Sequence, residues 1–173
     1  MLGLYLNCRG VGKKGFAFCL KDLIDEFHFD FIGLQETMKR VIDASVWRKF
    51  DHDGVYLWHW SPSIGRSGGI LCGIKSSRFD VCSATNEKHF VKAVLLDKKI
   101  QKLLMLVVVY GAAQDEGKLE FLASFANICS HLSMPTVIGV DFNIVRYASD
   151  KNKKGGVTKF SDIFNSIISN YAL

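Results

Sequence analysis

No stretch of this chain stays apolar long enough to cross a bilayer. The longest run, LLMLVVVY at residues 103–110, falls far below the roughly 18 residues that a spanning helix needs. The opening MLGLYLNCRG is also too short in apolar residues for a secretory leader, so the expectation is a soluble chain with no membrane attachment. The five cysteines (Cys8, Cys19, Cys72, Cys82 and Cys129) form no CxxC pair. Their odd number in a mid-sized apolar chain reads as reduced, mostly buried thiols in an intracellular compartment. There is no internal repeat, low-complexity tract or linker. With 173 residues and 49% hydrophobic content the chain can fill one core but not two, which gives one domain over residues 1–173. The formal charge of +5 permits a polyanionic partner without demanding one.

Periodicity then supplies the elements. LGLYLN reads as a short strand leading into the Gly and Lys loop CRGVGKKG. Phe16, Leu20, Leu23, Ile24 and Phe27 recur at spacings of three and four, the stripe of an amphipathic helix. FDFIGLQET is a buried strand with a polar end. A weakly marked segment holding Trp47 and Phe50 follows, and then a strand VYLWHW, a turn SPSIGRSGG and a strand GILCGIK. HFVKAVLL and KLLMLVVVY are two further strands joined tightly at residues 97–99. Leu119, Leu122, Phe125, Ala126, Cys129 and Leu132 predict a second helix, over residues 115–132, with Pro135 just beyond it. After the strand PTVIGVDFN and the polar loop RYASDKNKKGG, a third helix is expected from about Thr158.

Several apolar strands end in side chains that handle phosphate or metal: Asn7, Glu36, Tyr110, and Asp141 with Asn143. Strand tips that converge can carry chemistry on the loops beyond them. A hard divalent cation takes oxygen ligands and few carboxylates, a role open to Glu36 with Asn7 as a neutral oxygen beside it. Asp141 could accept the proton of an attacking water, and Asn143 and the Tyr110 hydroxyl could steady charge on phosphoryl oxygens. Each residue also has a structural alternative: a turn ahead of Gly10 for Asn7, a helix-start charge for Glu36, an Asx turn for Asp141 and Asn143, and a half-buried aromatic for Tyr110.

Taken in order, YLNCRG, IGLQET, VVVYGAA and VIGVDFNIV resemble the endonuclease/exonuclease/phosphatase superfamily, the DNase I-like group that includes the abasic-site endonucleases. The closer resemblance is to the endonuclease-like domain of plant LINE-type (non-LTR) retrotransposons. There the opening strand runs into an Asn-Cys-Arg-Gly turn, and an Arg and then an acidic and a basic residue follow the Asp-Phe-Asn, as Arg146, Asp150 and Lys151 do here.

This resemblance implies a four-layer α/β/β/α sandwich with the site at one end of the sheets. It implies Glu36 and Asn7 at a Mg²⁺ or Mn²⁺ ion, Asn7, Tyr110, Asp141 and Asn143 as catalytic groups, and Arg9 and Arg146 as phosphate contacts. Where many members carry an acid or amide two places after the first Asn, Arg9 stands here, which suits phosphate better than a second metal. The family also ends near a Ser-Asp-His segment. Here all five histidines (His28, His52, His59, His89 and His131) precede Asp141, and each reads as a surface or strand residue.

The expectation is therefore a Mg²⁺-dependent, DNA-nicking phosphodiester hydrolase that lacks its last strands and is impaired by that loss. DNA is the expected partner, with no membrane and no obligate protein partner, and the location is the nucleus if chromosomal DNA is cut. Two alternatives stay open: a catalytically dead remnant whose basic loops bind nucleic acid, and a phosphatase of the same superfamily.

Overall fold

The computed structural model describes residues 1–64, 67–150 and 159–173, with Ser67 and Val140 described through their backbone. Two compact units are distinguishable, Met1–Tyr110 with Met134–Asp141, and Gly111–Ser133 with Phe142–Leu173.

The first unit holds two four-stranded sheets. One has the order β1 (Gly3–Asn7), β2 (Phe31–Gln35), β4 (Ser67–Lys75), β3 (Tyr56–Ile64). The other runs β5 (Phe79–Asn86), β6 (Phe90–Asp97), β7 (Lys102–Tyr110), β8 (Thr136–Asp141). β1 with β2 and β7 with β8 are parallel pairs, and the remaining neighbours are antiparallel.

The two-residue period of a strand sorts the side chains between two cores. Phe31, Ile70, Cys72 and Ile74 from the first sheet meet Phe79, Val91, Ala93, Leu95, Leu104, Leu106 and Val108 from the second, which makes the layer between the sheets. Their neighbours in sequence, Ile32, Leu34 and Leu71, face the other way and pack with Leu20 and Ile24 of α1 (Phe16–Phe27). The helix seen in the sequence is thus the cover of the first sheet. α2 (Ala44–Trp47) starts where the Asp43 carboxylate accepts the Ser45 N–H at 2.8 Å.

The second unit is helical, with α3 (Asp115–Ser130), a 3₁₀ turn at Ala148–Asp150 and α4 (Lys159–Asn170). Phe142 joins its core, 4.5 Å between ring centroids from Phe164 and 5.0 Å from Phe125. In VIGVDFNIV, then, Asp141 ends a strand and Phe142 packs between the two long helices of the second unit.

The structure departs from the sequence expectations in five places. Ser61–Ile64 continues β3 instead of turning. This is tolerable for Pro62 because β3 is an edge strand that needs no second set of donors. β5 was not expected; only Phe79 of its residues is buried, and a register shift between Val81 and Ser83 breaks its alternation. The β6–β7 connection takes residues 98–101, one residue longer than anticipated. On α3 the buried stripe is Phe121, Leu122, Phe125, Ile128 and Cys129, while Leu119 is exposed. Finally, His89 is buried, not a surface residue. The cysteines are as expected, all five free and three of them, Cys8, Cys72 and Cys129, buried. Residues 151–158, which hold the rest of the expected polar loop and the expected start of the third helix at Thr158, lie outside the described residues. No helix among the described residues is long and apolar enough to cross a membrane.

Candidate active site

Strand parity and direction bring the candidate residues together. Tyr5 and Val137 pack into the layer between the sheets, and counting by two from them puts Asn7 and Asp141 on that same face at the last positions of β1 and β8. Tyr110 lies in the same layer at the end of β7, with Asp141 as its ladder partner. Glu36 follows the last residue of β2. Continued pleating would send it to the outer face, but its backbone is left-handed, with φ of 54°, and that turns the side chain back. A non-glycine residue held there costs on the order of 1 kcal/mol, and such strain gathers at functional sites.

The result is one hydrogen-bonded cluster. Asn7 Nδ2 donates to Glu36 Oε1 at 2.9 Å and to Asp141 Oδ2 at 2.6 Å, so one amide group bridges two carboxylates from opposite sheets. Tyr110 Oη donates to the same Glu36 oxygen at 3.1 Å. The Arg9 backbone N–H donates to Asn7 Oδ1 at 3.3 Å, which fixes the direction of the amide. In this arrangement Asn7 serves the carboxylates as a donor, and its oxygen is turned to the loop.

Two supports of the cluster had no signal in the strand pattern. Tyr5 and Gly139, each two residues before a member of the bridge, meet across the sheets: a β-carbon on Gly139 would collide with the Tyr5 ring. That close approach sets β1 against β8 and hence Asn7 against Asp141. The other support is the Gly68-Gly69 pair, with φ of 83° and 85°, which receives the N–H groups of Met38 and Thr37 at 3.0 and 3.2 Å, Gly68 lying beside the Tyr110 ring. A β-carbon on Gly69 would press on Thr37 Oγ1 and stand 3.2 Å from the Ser63 nitrogen. Gly69→Ala should therefore lower unfolding stability by about 1–3 kcal/mol in urea titration. Thr37 Oγ1 is buried with no hydrogen-bond partner among the described residues, so Thr37→Ala should be nearly neutral alone and should recover part of the Gly69→Ala loss. Strictly additive losses would show that the strain lies in the backbone alone.

The other candidates are placed as follows. Asn143, φ 53°, belongs to the helical unit, where its Nδ2 donates to the Gly111 carbonyl at 2.9 Å. Arg146 is in the same unit, in a reciprocal clamp: its Nε donates to Asn165 Oδ1 at 2.9 Å and Asn165 Nδ2 donates to its carbonyl at 3.0 Å. The Arg9 side chain is exposed on the loop after β1. Lys151 lies outside the described residues. His89, which the sequence gave no reason to single out, sits beside the cluster: its Nδ1 is 3.0 Å from the Tyr110 carbonyl, and the Tyr110 N–H donates to its carbonyl at 3.0 Å.

Cys8, next to Asn7, is not a nucleophile. Burial pushes its thiol up to about 11, and it donates to the Gln35 carbonyl at 3.1 Å. For a cation, the cluster offers two carboxylates and no nitrogen or sulfur ligand. Among the described residues no three His, Cys, Asp or Glu side chains gather to hold an ion. A hard cation that keeps most of its water, such as Mg²⁺, fits so sparse an oxygen set, with Glu36 as the half-exposed carboxylate.

By sequence the chain matches no family profile and no curated protein. By structure it is similar to the AP endonuclease LMAP of Leishmania major, with a TM-score of 0.74 and 16% identity over 98% of this chain and 66% of that one. It is similar also to the 3′-5′ exonuclease NExo of Neisseria meningitidis, with a TM-score of 0.70 and 13% identity over 98% and 71%. A third likeness is to the human Nocturnin catalytic domain, with a TM-score of 0.62 and 16% identity over 84% and 64%. The fold is that of the DNase I-like endonuclease/exonuclease/phosphatase proteins. The chain spans 64% to 71% of the length of these three structures.

Proposed function

We propose that this chain carries the catalytic face of a Mg²⁺-dependent phosphodiester hydrolase that nicks DNA. The observation that carries the reading is the Asn7 amide held between Glu36 and Asp141, with Tyr110 on the same glutamate. Two carboxylates that share a donor at strand tips are arranged for different tasks. A divalent cation at Glu36 would supply Lewis-acid polarisation of a phosphoryl oxygen. Asp141 accepts the proton of a water that attacks phosphorus, the P–O ester bond breaks, and the leaving oxygen takes a proton from solvent. Tyr110 Oη and Asn7 Nδ2 are the donors placed to follow the negative charge onto the phosphoryl oxygens. Asn143, Arg9 and Arg146 are assigned to the phosphate on the strength of their sequence context.

The finer assignment rests on YLNCRG and on Arg146, Asp150 and Lys151, which resemble the endonuclease-like domain of plant LINE-type retrotransposons. On that basis the substrate is DNA, the ion is Mg²⁺ or Mn²⁺, and the working compartment is the nucleus if chromosomal DNA is cut.

Metal binding tests the reading without any turnover. Calorimetry with Mg²⁺ should give a weak, measurable affinity, since one carboxylate and a few waters hold the ion, and Glu36→Gln should weaken it about tenfold or more. Equal binding by both proteins would place the cation elsewhere and remove the basis for the mechanism.

A further inference from the structure

Two polar groups lie in the layer between the sheets, next to the cluster, and the hydrogen bonds of the fold account for neither. Phe31 faces that layer, so counting by two along β2 places Gly33 and Gln35 on the same face. In the parallel register of β1 with β2, Asn7 stands beside Gln35 and Tyr5 beside Gly33. Gln35 is 1% exposed, and its Nε2 has no hydrogen-bond partner among the described residues. Its carbonyl, by contrast, accepts the Cys8 N–H at 2.9 Å and the Cys8 thiol at 3.1 Å. The Tyr5 hydroxyl is likewise buried without a partner among those residues. Burial, with Cys72 nearby, pushes that hydroxyl above the ordinary tyrosine range, so it stays protonated.

The two groups share one neighbourhood. A β-carbon on Gly33 would stand 2.7 Å from the Tyr5 ring and 3.0 Å from Val108, so the ring lies over Gly33, one pleat from Gln35. Cys72 and Ile70, the partners of Gly33 and Gln35 on β4, wall the same stretch with apolar side chains. A buried amide or hydroxyl left unpaired costs stability, and native structures leave few of them. Two such groups a pleat apart call for one small partner.

We infer that Gln35 Nε2 and Tyr5 Oη hold an internal water molecule between the sheets. The amide offers a proton and the hydroxyl offers a proton and lone pairs, so one water can satisfy both. An anion would take the same donors, but it would be buried without a cation and close to the Glu36 and Asp141 carboxylates, which repel it. The water makes Gln35 and Tyr5 positioning residues. They are the neighbours of Asn7 on the inner face, one across the ladder and one two residues back along β1. Fixing both fixes the amide that bridges Glu36 and Asp141. This goes beyond the hydrolase reading and does not depend on the substrate.

Thermal unfolding and NMR of the full chain test the site. Gln35→Met and Tyr5→Phe each remove one polar atom at nearly constant volume. Each should lower the thermal midpoint by roughly 2–6 °C, because the water loses a partner and the other group is left unpaired. The double variant should lose little more than the larger single loss, since no polar atom is then left to satisfy. In isotope-labelled parent protein the Gln35 side-chain amide, assigned by its disappearance in Gln35→Met, should give a dipolar cross-peak at the water frequency that Tyr5→Phe abolishes. Both single variants should shift the Asn7 side-chain amide signals, which the destabilised but remote Arg78→Met should leave in place. A missing cross-peak, a rise in the midpoint of either single variant, or losses that add would overturn the shared water. Asn7 signals that stay fixed in both variants would overturn the positioning role. None of these outcomes bears on metal binding at Glu36, and a failure of that metal test would leave them standing.

Discussion

Supercoiled plasmid incubated with Mg²⁺ and residues 1–173 should be nicked slowly. The expected deficit is on the order of 10² to 10⁴ relative to a hydrolase whose cluster also holds an imidazole general acid. The reason lies in the proton inventory of the cluster. Asp141 and Glu36 accept, Asn7 and Tyr110 donate neutral hydrogen bonds, and the buried Cys8 thiol is held protonated, so the assigned groups include no imidazole to protonate a leaving oxygen. His89 Nδ1 lies 3.0 Å from the Tyr110 carbonyl. Asp141→Ala and Glu36→Ala should each abolish the remaining nicking, because each removes one side of the Asn7 bridge. Family-typical nicking by residues 1–173 that is lost in Asp141→Ala would mean that another group, with His89 the first to test, performs the proton transfer.

How far the sequence could be read follows from where its patterns have a physical cause. α1 was legible from Phe16 to Phe27 because its apolar stripe covers a sheet, and β1, β2, β7 and β8 because apolar runs of strand length end in polar residues. β5 was illegible because its outward face is polar and a bulge disrupts the period. The members of the cluster could be named, but their meeting could not be derived from periodicity. Parity places Asn7, Tyr110 and Asp141 on the inner face only once the sheets are known to face each other, and Glu36 reaches the cluster only by breaking parity at a left-handed residue. The Tyr5–Gly139 contact joins residues 134 positions apart and leaves no local signature, and Gly68-Gly69 looks like any turn in SPSIGRSGG.

The second large effect lies at the other end of the strands, where Arg78→Met should lower the thermal midpoint by roughly 10 °C at pH 7. Arg78 Nη1 is 2.7 Å from Asp30 Oδ2, just before β2, and Nη2 is 3.1 Å from Asp97 Oδ2, the last residue of β6. One guanidinium therefore ties the two sheets together. Asp97 is fully buried, so removing its partner strands a charge in the interior, which costs more than the pair itself contributes. Burial pushes the Asp97 carboxyl up, but the Lys99 N–H at 2.9 Å and the Arg78 guanidinium outweigh it and hold it below the ordinary carboxylate range. A carboxyl lowered by folding stabilises the folded state above its unfolded value, about pH 4, and that contribution is lost as pH falls through the folded value. The parent should accordingly lose stability as pH drops from 5 to 3. The gap between parent and Arg78→Met should be widest at pH 7 and should narrow toward pH 3, because a protonated Asp97 no longer needs the guanidinium. Calorimetric scans at pH 7, 5 and 3 measure this directly. A gap of constant size would show that Arg78 acts through its stem and its guanidinium face over the Phe79 ring, 5.3 Å from the centroid, and not through its charge on Asp97.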